Sequence, residues 1–118
     1  VYSQNAGGTV RENTCRGNGF DGMAIFGQAR PGIVANTCKE NTYHGIEVSG
    51  EAQPVLEGNT CEANKYSGIA YFENAGGTVR NNICRKNGQF GIYIESKGEP
   101  HLLDNSCTGN AQGDVHHA

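Results

Sequence analysis

The sequence predicts an all-β solenoid of about five coils, each about 23 residues long and built from three short strands. The first observation is that 18 of the 118 residues are glycine and 13 are asparagine, which are poor in helix interiors and common in turns. The second is that the cysteines recur at one fixed interval, at Cys15, Cys38, Cys61, Cys84 and Cys107. A repeat of this length is too short for two helices and a turn. It accommodates three strands that bury their apolar side chains by stacking on the neighbouring coils.

The first strand of each coil is predicted directly after a recurring glycine. In the segment from Gly22 to Phe26, side chains alternate, so that Met23 and Ile25 point inward and Ala24 and Phe26 point outward. Both inward positions recur once per coil, in the columns Met23, Ile46, Ile69, Ile92, Val115 and Ile25, Val48, Tyr71, Ile94.

The second strand follows a turn that contains a small residue and often a proline. It has a single inward column, formed by Val10, Ile33, Leu56, Val79 and Leu102. An asparagine then bends the chain into the third strand, and a second asparagine column leads back toward the next coil. We expect these asparagines to adopt the left-handed backbone of a tight bend and to hydrogen-bond with the amide one coil away, as ladders Asn13, Asn36, Asn59, Asn82, Asn105 and Asn18, Asn41, Asn64, Asn87, Asn110.

The cysteine column lies two residues after the first bend, on the inward side of the third strand. A thiol there is a small buried hydrophobe, and this is the interpretation we favour. Coils spaced by about 4.8 Å bring the Cα atoms within disulfide range, but parallel side chains give an awkward torsion and five is an odd number. A metal site needs ligands that converge, which a straight row does not provide, so no metal site is predicted. Five unpaired thiols and the lack of a leader segment favour a cytoplasmic location.

The repeat resembles the right-handed parallel β-helix of the pectate-lyase-like superfamily, in its generic parallel-β-helix-repeat form. The resemblance rests on the stretch from Gly45-Ile46-Glu47-Val48 to Cys61 and Asn64, and it covers essentially the whole chain. It implies a single-stranded right-handed β-helix, whose bend between the second and third strands carries a stacked asparagine ladder. It specifies function poorly, because such repeats occur in polysaccharide lyases, hydrolases and epimerases, in NosD-like proteins and in F-box substrate adaptors.

The same resemblance implies that a ligand lies along the outer face of the first strand and the loops beside it. There the chain offers aromatic rings that stack on sugars and carboxylates that accept hydroxyl hydrogen bonds. Phe20 and Phe90 lie in the adjoining turn. The predicted ligand-binding residues are Phe26, Tyr43, His44, Glu47, Tyr66, Phe72, Tyr93 and Glu95. A competing interpretation is that these rings only cover the turn and pack on one another.

Catalysis has little support in the sequence, and no catalytic residue is assigned. Lyases of this superfamily use clustered acidic Ca²⁺ ligands and a basic residue, whereas the chain has only three aspartates, Asp21, Asp104 and Asp114, at different places in the repeat. The epimerase Asp-Pro-His-Asp motif is absent. Glu73 and Glu95, on neighbouring coils, are the best carboxylate pair. No cofactor is predicted, and Ca²⁺ enters only if the chain is part of a lyase.

A net charge of −3 and the lack of a long apolar run predict neither a nucleic-acid nor a membrane partner. Residues 1–118 form one β-helix domain without obvious caps. Residues 1–3 start in a first strand, and residues 114–116 stop in the same column, where His116 is expected to fray. This predicts either a fragment of a longer solenoid or end-to-end self-association.

The predicted function is a non-catalytic module that presents a surface to a polysaccharide or protein. The alternatives are a fragment of a carbohydrate-active enzyme whose catalytic coils lie elsewhere, and a structural spacer.

Overall fold

The computed structural model describes residues 7–95 and 97–118, and these contain fifteen strands in three parallel five-stranded sheets. The second-strand sheet contains β1 (Thr9–Arg11), β4 (Gly32–Val34), β7 (Val55–Glu57), β10 (Thr78–Arg80) and β13 (His101–Leu103). The third-strand sheet contains β2 (Thr14–Arg16), β5 (Thr37–Lys39), β8 (Thr60–Glu62), β11 (Ile83–Arg85) and β14 (Ser106–Thr108). The first-strand sheet contains β3 (Met23–Ile25), β6 (Ile46–Val48), β9 (Ile69–Tyr71), β12 (Phe90–Ile94) and β15 (Gly113–His117).

The strand pairing confirms the predicted parallel β-helix of about five coils. Within each sheet, every strand pairs with the strand one coil later, and the paired residues lie one period of the repeat apart, as in Ile46 with Ile69 and Cys38 with Cys61. The predicted start in the first-strand column at residues 1–3 lies outside the described residues. None of the described residues belongs to a helix that is long and apolar enough to cross a membrane.

The core is the space enclosed by the three sheets, and the predicted inward columns fill it. Ile33, Ile46, Leu56, Ile69 and Ile92 are fully buried, each contributing about 1.5–3 kcal/mol by removal from water. The cysteines belong to the same cluster: Cys38, Cys61, Cys84 and Cys107 are buried, Cys15 is partly buried, and all five thiols are free.

Two asparagine ladders hold the corners of the coil together. In the first, the Asn59 side-chain amide donates to Ile33 O at 2.9 Å and to Asn82 Oδ1 at 2.9 Å. Its Oδ1 accepts from the backbone N–H of Asn36 at 2.9 Å and from Asn36 Nδ2 at 3.1 Å. In the second, Asn64 bonds in the same way to the amides of Asn41 and Asn87. A buried amide with all its donors and acceptors satisfied in this way stabilises the fold.

The prediction that these asparagines adopt the left-handed backbone is wrong. The residue immediately before each ladder asparagine has the positive φ, between 54° and 66°, as at Glu12, Ala35, Gly58, Asn81 and Asp104 in the first bend. The same holds in the second bend, at Gly17, Glu40, Ala63, Lys86 and Gly109. The asparagine is needed for its amide, and the preceding residue makes the bend.

The recurring glycine before each first strand is required by close contact between coils. A Cβ atom at Gly68 would lie 2.8 Å from Gly91 O and 2.9 Å from the Asn87 amide nitrogen, and equivalent contacts occur at Gly22, Gly45 and Gly91. The glycine therefore lets the second asparagine ladder pass directly beside the start of the first strand. This brings the turn before the first strand, which carries several aromatic side chains, against that sheet.

Candidate functional site

A continuous series of eight rings, here called the aromatic band, covers the outer face of the first-strand sheet and the turn before it. Tyr43 stacks on Tyr66 with ring centroids 5.3 Å apart and an interplanar angle of 9°. The centroid of His44 lies 5.6 Å from that of Tyr66 and 5.7 Å from that of Phe72. The whole band runs through Phe20, Tyr43, Tyr66, His44, Phe72, Tyr93, Phe90 and His116, with neighbouring centroids 4.7 to 6.0 Å apart.

The middle of the band forms a shallow depression of about 400 Å³. It is lined by five rings and two amides, which belong to His44, Tyr66, Phe72, Phe90, Tyr93, Gln89 and Gln112. Apolar walls with a few polar groups are typical of small-molecule and oligosaccharide sites. The two glutamine side chains supply donors and acceptors at the edge of the rings.

A column of side-chain acceptors fixes the position of His44, which is only 8% exposed. The Asp21 carboxylate accepts the His44 backbone N–H at 3.0 Å, and His44 Nδ1 accepts the Ser67 backbone N–H at 3.1 Å. Ser67 Oγ accepts the Phe90 N–H at 3.3 Å. Each side chain in this column thus caps the backbone one coil later, which holds the imidazole rigidly at the wall of the depression.

Carboxyl oxygens of Asp21 and Glu47 lie within 4.8 Å of one another and of an imidazole nitrogen of His44, and these two carboxyl groups are here called the carboxyl pair. Burial, together with the nearby Asp21 carboxylate, raises the pKa of Glu47 to about 7. Burial lowers the pKa of His44, despite the opposing effect of Asp21 and of the bond from Ser67. At pH 7 a neutral imidazole therefore lies beside a Glu47 carboxyl that is about half protonated, and at mildly acidic pH Glu47 keeps its proton.

Asp21, His44 and Glu47 are also the group of residues that comes closest to a metal centre among the described residues, with one potential ligand atom each within 4.8 Å of the others. His44 Nδ1 already accepts a backbone N–H, so the neutral ring carries its proton on Nε2. A cation at Nε2 has to displace that proton, and one at Nδ1 has to break the bond from Ser67. The arrangement therefore suits hydrogen bonding better than metal coordination.

Six of the eight predicted ligand-binding residues come together. Tyr43, His44, Tyr66, Phe72 and Tyr93 belong to the aromatic band, and Glu47 lies against it through His44. The other two lie apart from the band. Phe26 is 39% exposed and contacts none of its rings among the described residues, and Glu95 accepts the Glu73 backbone N–H at 2.8 Å.

Two details of this surface differ from what the repeat pattern predicts. Ala70 faces outward in the first-strand sheet and is nevertheless fully buried. His116, expected to fray, lies in a paired strand and stacks on Phe90 at 4.7 Å. Glu73 and Glu95, the best carboxylate pair in the sequence, do lie close together, and the Glu73 carboxylate also accepts the Gly50 backbone N–H at 3.3 Å.

Sequence reasoning missed Asp21, Gln89, Gln112 and His116. A signal for Asp21 was present, because it occupies the repeat position of His44, one coil earlier, and caps that residue's backbone. The glutamines carried one too, because Gln89 and Gln112 continue the repeat column of Phe20, Tyr43 and Tyr66 into the next two coils.

Comparison with protein families agrees with the fold described above. A family model described as a right-handed β-helix region matches residues 1–117. No curated protein and no solved structure matches the chain significantly.

Proposed function

The chain belongs to the right-handed β-helix family, and from that premise we propose that it is a non-catalytic module whose aromatic band binds an extended carbohydrate. The observation that carries the proposal is the unbroken series of rings across successive coils, with a depression at its centre.

The position of the rings supports binding rather than core packing. The described core is filled by the inward columns, and the band lies outside the sheets that enclose it. Phe20 is 69% exposed and Tyr43 is 37% exposed, which is unusual for ring systems stacked on one another. Exposed flat rings of this kind offer an apolar platform for the C–H face of a pyranose, while the tyrosine hydroxyls and glutamine amides can bond to its hydroxyl groups.

The coil repeat supports an extended ligand. Successive members of the band, such as Tyr43 and Tyr66, come from adjacent coils, so their spacing follows the distance between parallel strands, about 4.8 Å. Phe20, Tyr43 and Tyr66, one ring from each of three successive coils, therefore form a line along the solenoid axis. Such a line matches a linear chain of sugar rings better than a single compact molecule.

The carboxyl pair supports a non-catalytic role. Glycosidases keep their two carboxyl groups roughly 5–5.5 Å apart for retention of configuration, and further apart for inversion. Asp21 and Glu47 have carboxyl oxygens within 4.8 Å of one another, which is closer than either spacing. Glu73 and Glu95 are each engaged with a backbone N–H.

Titration calorimetry with neutral and charged oligosaccharides tests the proposal on the wild-type chain and on Phe72→Ala and Tyr93→Ala. Each substitution removes one ring from the depression, and we expect affinity to fall about fivefold per ring, from a stacking contribution of about 1 kcal/mol. Phe26→Ala removes an equally outward phenylalanine that lies off the band, and it should leave affinity unchanged. The proposal is wrong if no oligosaccharide binds, or if binding is as strong in the double variant as in the wild type.

A further inference from the structure

The carboxyl pair and the aromatic depression meet at one residue. His44 lines the depression, and its ring centroid lies 5.6 Å from that of Tyr66 and 5.7 Å from that of Phe72. The same imidazole lies within 4.8 Å of the carboxyl oxygens of Asp21 and Glu47. A ligand stacked in the depression therefore has acidic groups at one end of its binding surface.

The charge at this end is negative. The carboxyl oxygens of Asp21 and Glu47 lie within 4.8 Å of one another, and the pair carries about one negative charge at mildly acidic pH because Glu47, whose pKa is raised to about 7, keeps its proton there. The neighbouring imidazole does not neutralise it, because burial keeps His44 uncharged near neutral pH by lowering its pKa. No lysine or arginine lines the depression among residues 7–95 and 97–118.

A second observation shows that the polar groups at this end are incompletely used. His44 is more than nine-tenths buried, with a relative exposure of 8%, and its Nδ1 atom accepts the Ser67 N–H. Within the described part of the chain, its Nε2 atom has no hydrogen-bond partner. The Nε2–H of the neutral ring is therefore a fixed donor, available to an acceptor on a ligand that enters the depression.

We propose that the aromatic band selects an amino sugar, with the pyranose ring stacked in the depression and its protonated primary amine held by Asp21 and Glu47. This inference rests on the proposed carbohydrate-binding function and adds the class of sugar. The ammonium group forms charge-assisted hydrogen bonds with the carboxyl pair. It also lies beside the faces of Tyr66 and Phe72, where a cation is attracted by the ring electrons. His44 Nε2–H donates to a hydroxyl or ring oxygen of the same sugar.

The same arrangement disfavours acidic polysaccharides. A uronate carboxylate placed in the depression faces the negative carboxyl pair, and like charges at short range repel. A neutral glucose unit stacks on the rings but leaves the carboxyl pair without a counter-charge. The expected order of affinity is therefore amino sugar, then neutral sugar, then uronate.

The test compares three linear tetrasaccharides of matched length by titration calorimetry at mildly acidic pH and low salt: β-1,4-linked glucosamine, β-1,4-linked glucose, and galacturonate. The first two differ only at C2, where an ammonium replaces a hydroxyl. We expect the glucosamine tetramer to bind wild type about tenfold more tightly than the glucose tetramer, as one charge-assisted contact gives.

Asp21→Asn removes the negative charge of the pair, keeps the shape of the side chain and keeps an oxygen that can accept the His44 backbone N–H, so it should reduce that ratio to near one while glucose-tetramer affinity stays unchanged. Glu99→Gln removes the same charge from an exposed turn and should leave the ratio at about ten, which separates local recognition from general attraction to an acidic protein. A thermal melt checks that both variants fold.

The outcomes separate the two proposals. Equal affinity for the glucosamine and glucose tetramers, or a preference that survives in Asp21→Asn, overturns the amino-sugar inference while leaving carbohydrate binding intact. Absence of binding by all three tetramers overturns both.

Discussion

The central amide of the first asparagine ladder offers the sharpest test of how the fold is held together. Asn59→Ala removes four hydrogen bonds at one buried site, two accepted from Asn36 and two donated to Ile33 O and Asn82 Oδ1. Asn36 loses the partner of its backbone N–H and of one amide hydrogen. Asn82 Oδ1 keeps the Asn59 backbone N–H, at 2.8 Å.

The expected loss follows from those two donors. A buried donor left without a partner costs about 1–3 kcal/mol, so two donors cost about 2–6 kcal/mol. Ile33 O and Asn82 Oδ1 each lose one donor, which adds to this loss of stability. A domain of this size has a total stability of about 5–15 kcal/mol, so the substitution removes a large share of it.

Two further variants make the test specific. Asn59→Asp keeps the acceptor for Asn36 but places an oxygen against Ile33 O and Asn82 Oδ1, so it should destabilise strongly at neutral pH and less in acid, where the carboxyl is protonated. Asn13→Ala removes an exposed amide that only donates, to Arg11 O at 3.0 Å and to Asn36 Oδ1 at 3.1 Å, and should cost less than about 1 kcal/mol.

Urea unfolding followed by circular dichroism gives the free energy of unfolding of each variant. If Asn59→Ala does not fold while Asn13→Ala does, this result also supports the prediction, because it shows that the loss of stability is large. Equal stability of Asn59→Ala and Asn13→Ala would refute the reasoning, because it would show that the buried amides are no more important than the exposed one.

Three more substitutions test other features. Tyr71 buries a hydroxyl that has no hydrogen-bond partner among residues 7–95 and 97–118, so Tyr71→Phe should raise the free energy of unfolding by about 1–3 kcal/mol; a decrease would show that the hydroxyl has a partner. The folded state holds the Glu47 proton up to about pH 7, whereas the unfolded chain releases it near pH 4.5, so the stability of the wild type should fall as pH rises between these values. The melting temperature of Glu47→Gln should fall less over the same range; an identical dependence of melting temperature on pH in both proteins contradicts this. Gly68→Ala places a Cβ 2.8 Å from Gly91 O and should lower the free energy of unfolding in urea by about 1–3 kcal/mol. Gly19→Ala, whose Cβ would have no atom within 4 Å, should leave this free energy unchanged, and equal effects of the two substitutions would exclude the close contact as the cause.

The sequence predicts the solenoid well because every coil repeats one solution to the same packing problem. The cysteine column shows this: cysteines one period apart pair in register, and their inward side chains share one environment. The bends were assigned to the wrong residue for a related reason. Gly58, Asn81 and Asp104 are residue types that favour the left-handed backbone, but Glu12 and Ala35 in the same column are not, so the column does not mark the bend consistently.

The candidate site was only partly predictable because its key contact does not follow the period. Asp21 and Glu47 are separated by slightly more than one coil, so they occupy different columns and the repeat pattern predicts no contact between them. The same offset occurs between the Asn36 amide and Val10 O, where the end of one strand approaches the next corner. A coil must therefore be folded in space before contacts of this kind can be recognised.

The asparagine ladders give the solenoid a direction. In each ladder, every asparagine amide except the last donates one hydrogen to the asparagine of the next coil toward the C-terminus. Among the described residues, Asn105 and Asn110 therefore end the columns with one amide hydrogen that has no acceptor, and Asn13 and Asn18 begin them with an oxygen that accepts no bond. One end of the stack is thus donor-rich and the other acceptor-rich at the same two corners. Whatever covers an end, whether more coils or a second copy, has to match that polarity. Copies joined head to tail satisfy it, whereas a two-fold contact between like ends sets donor against donor.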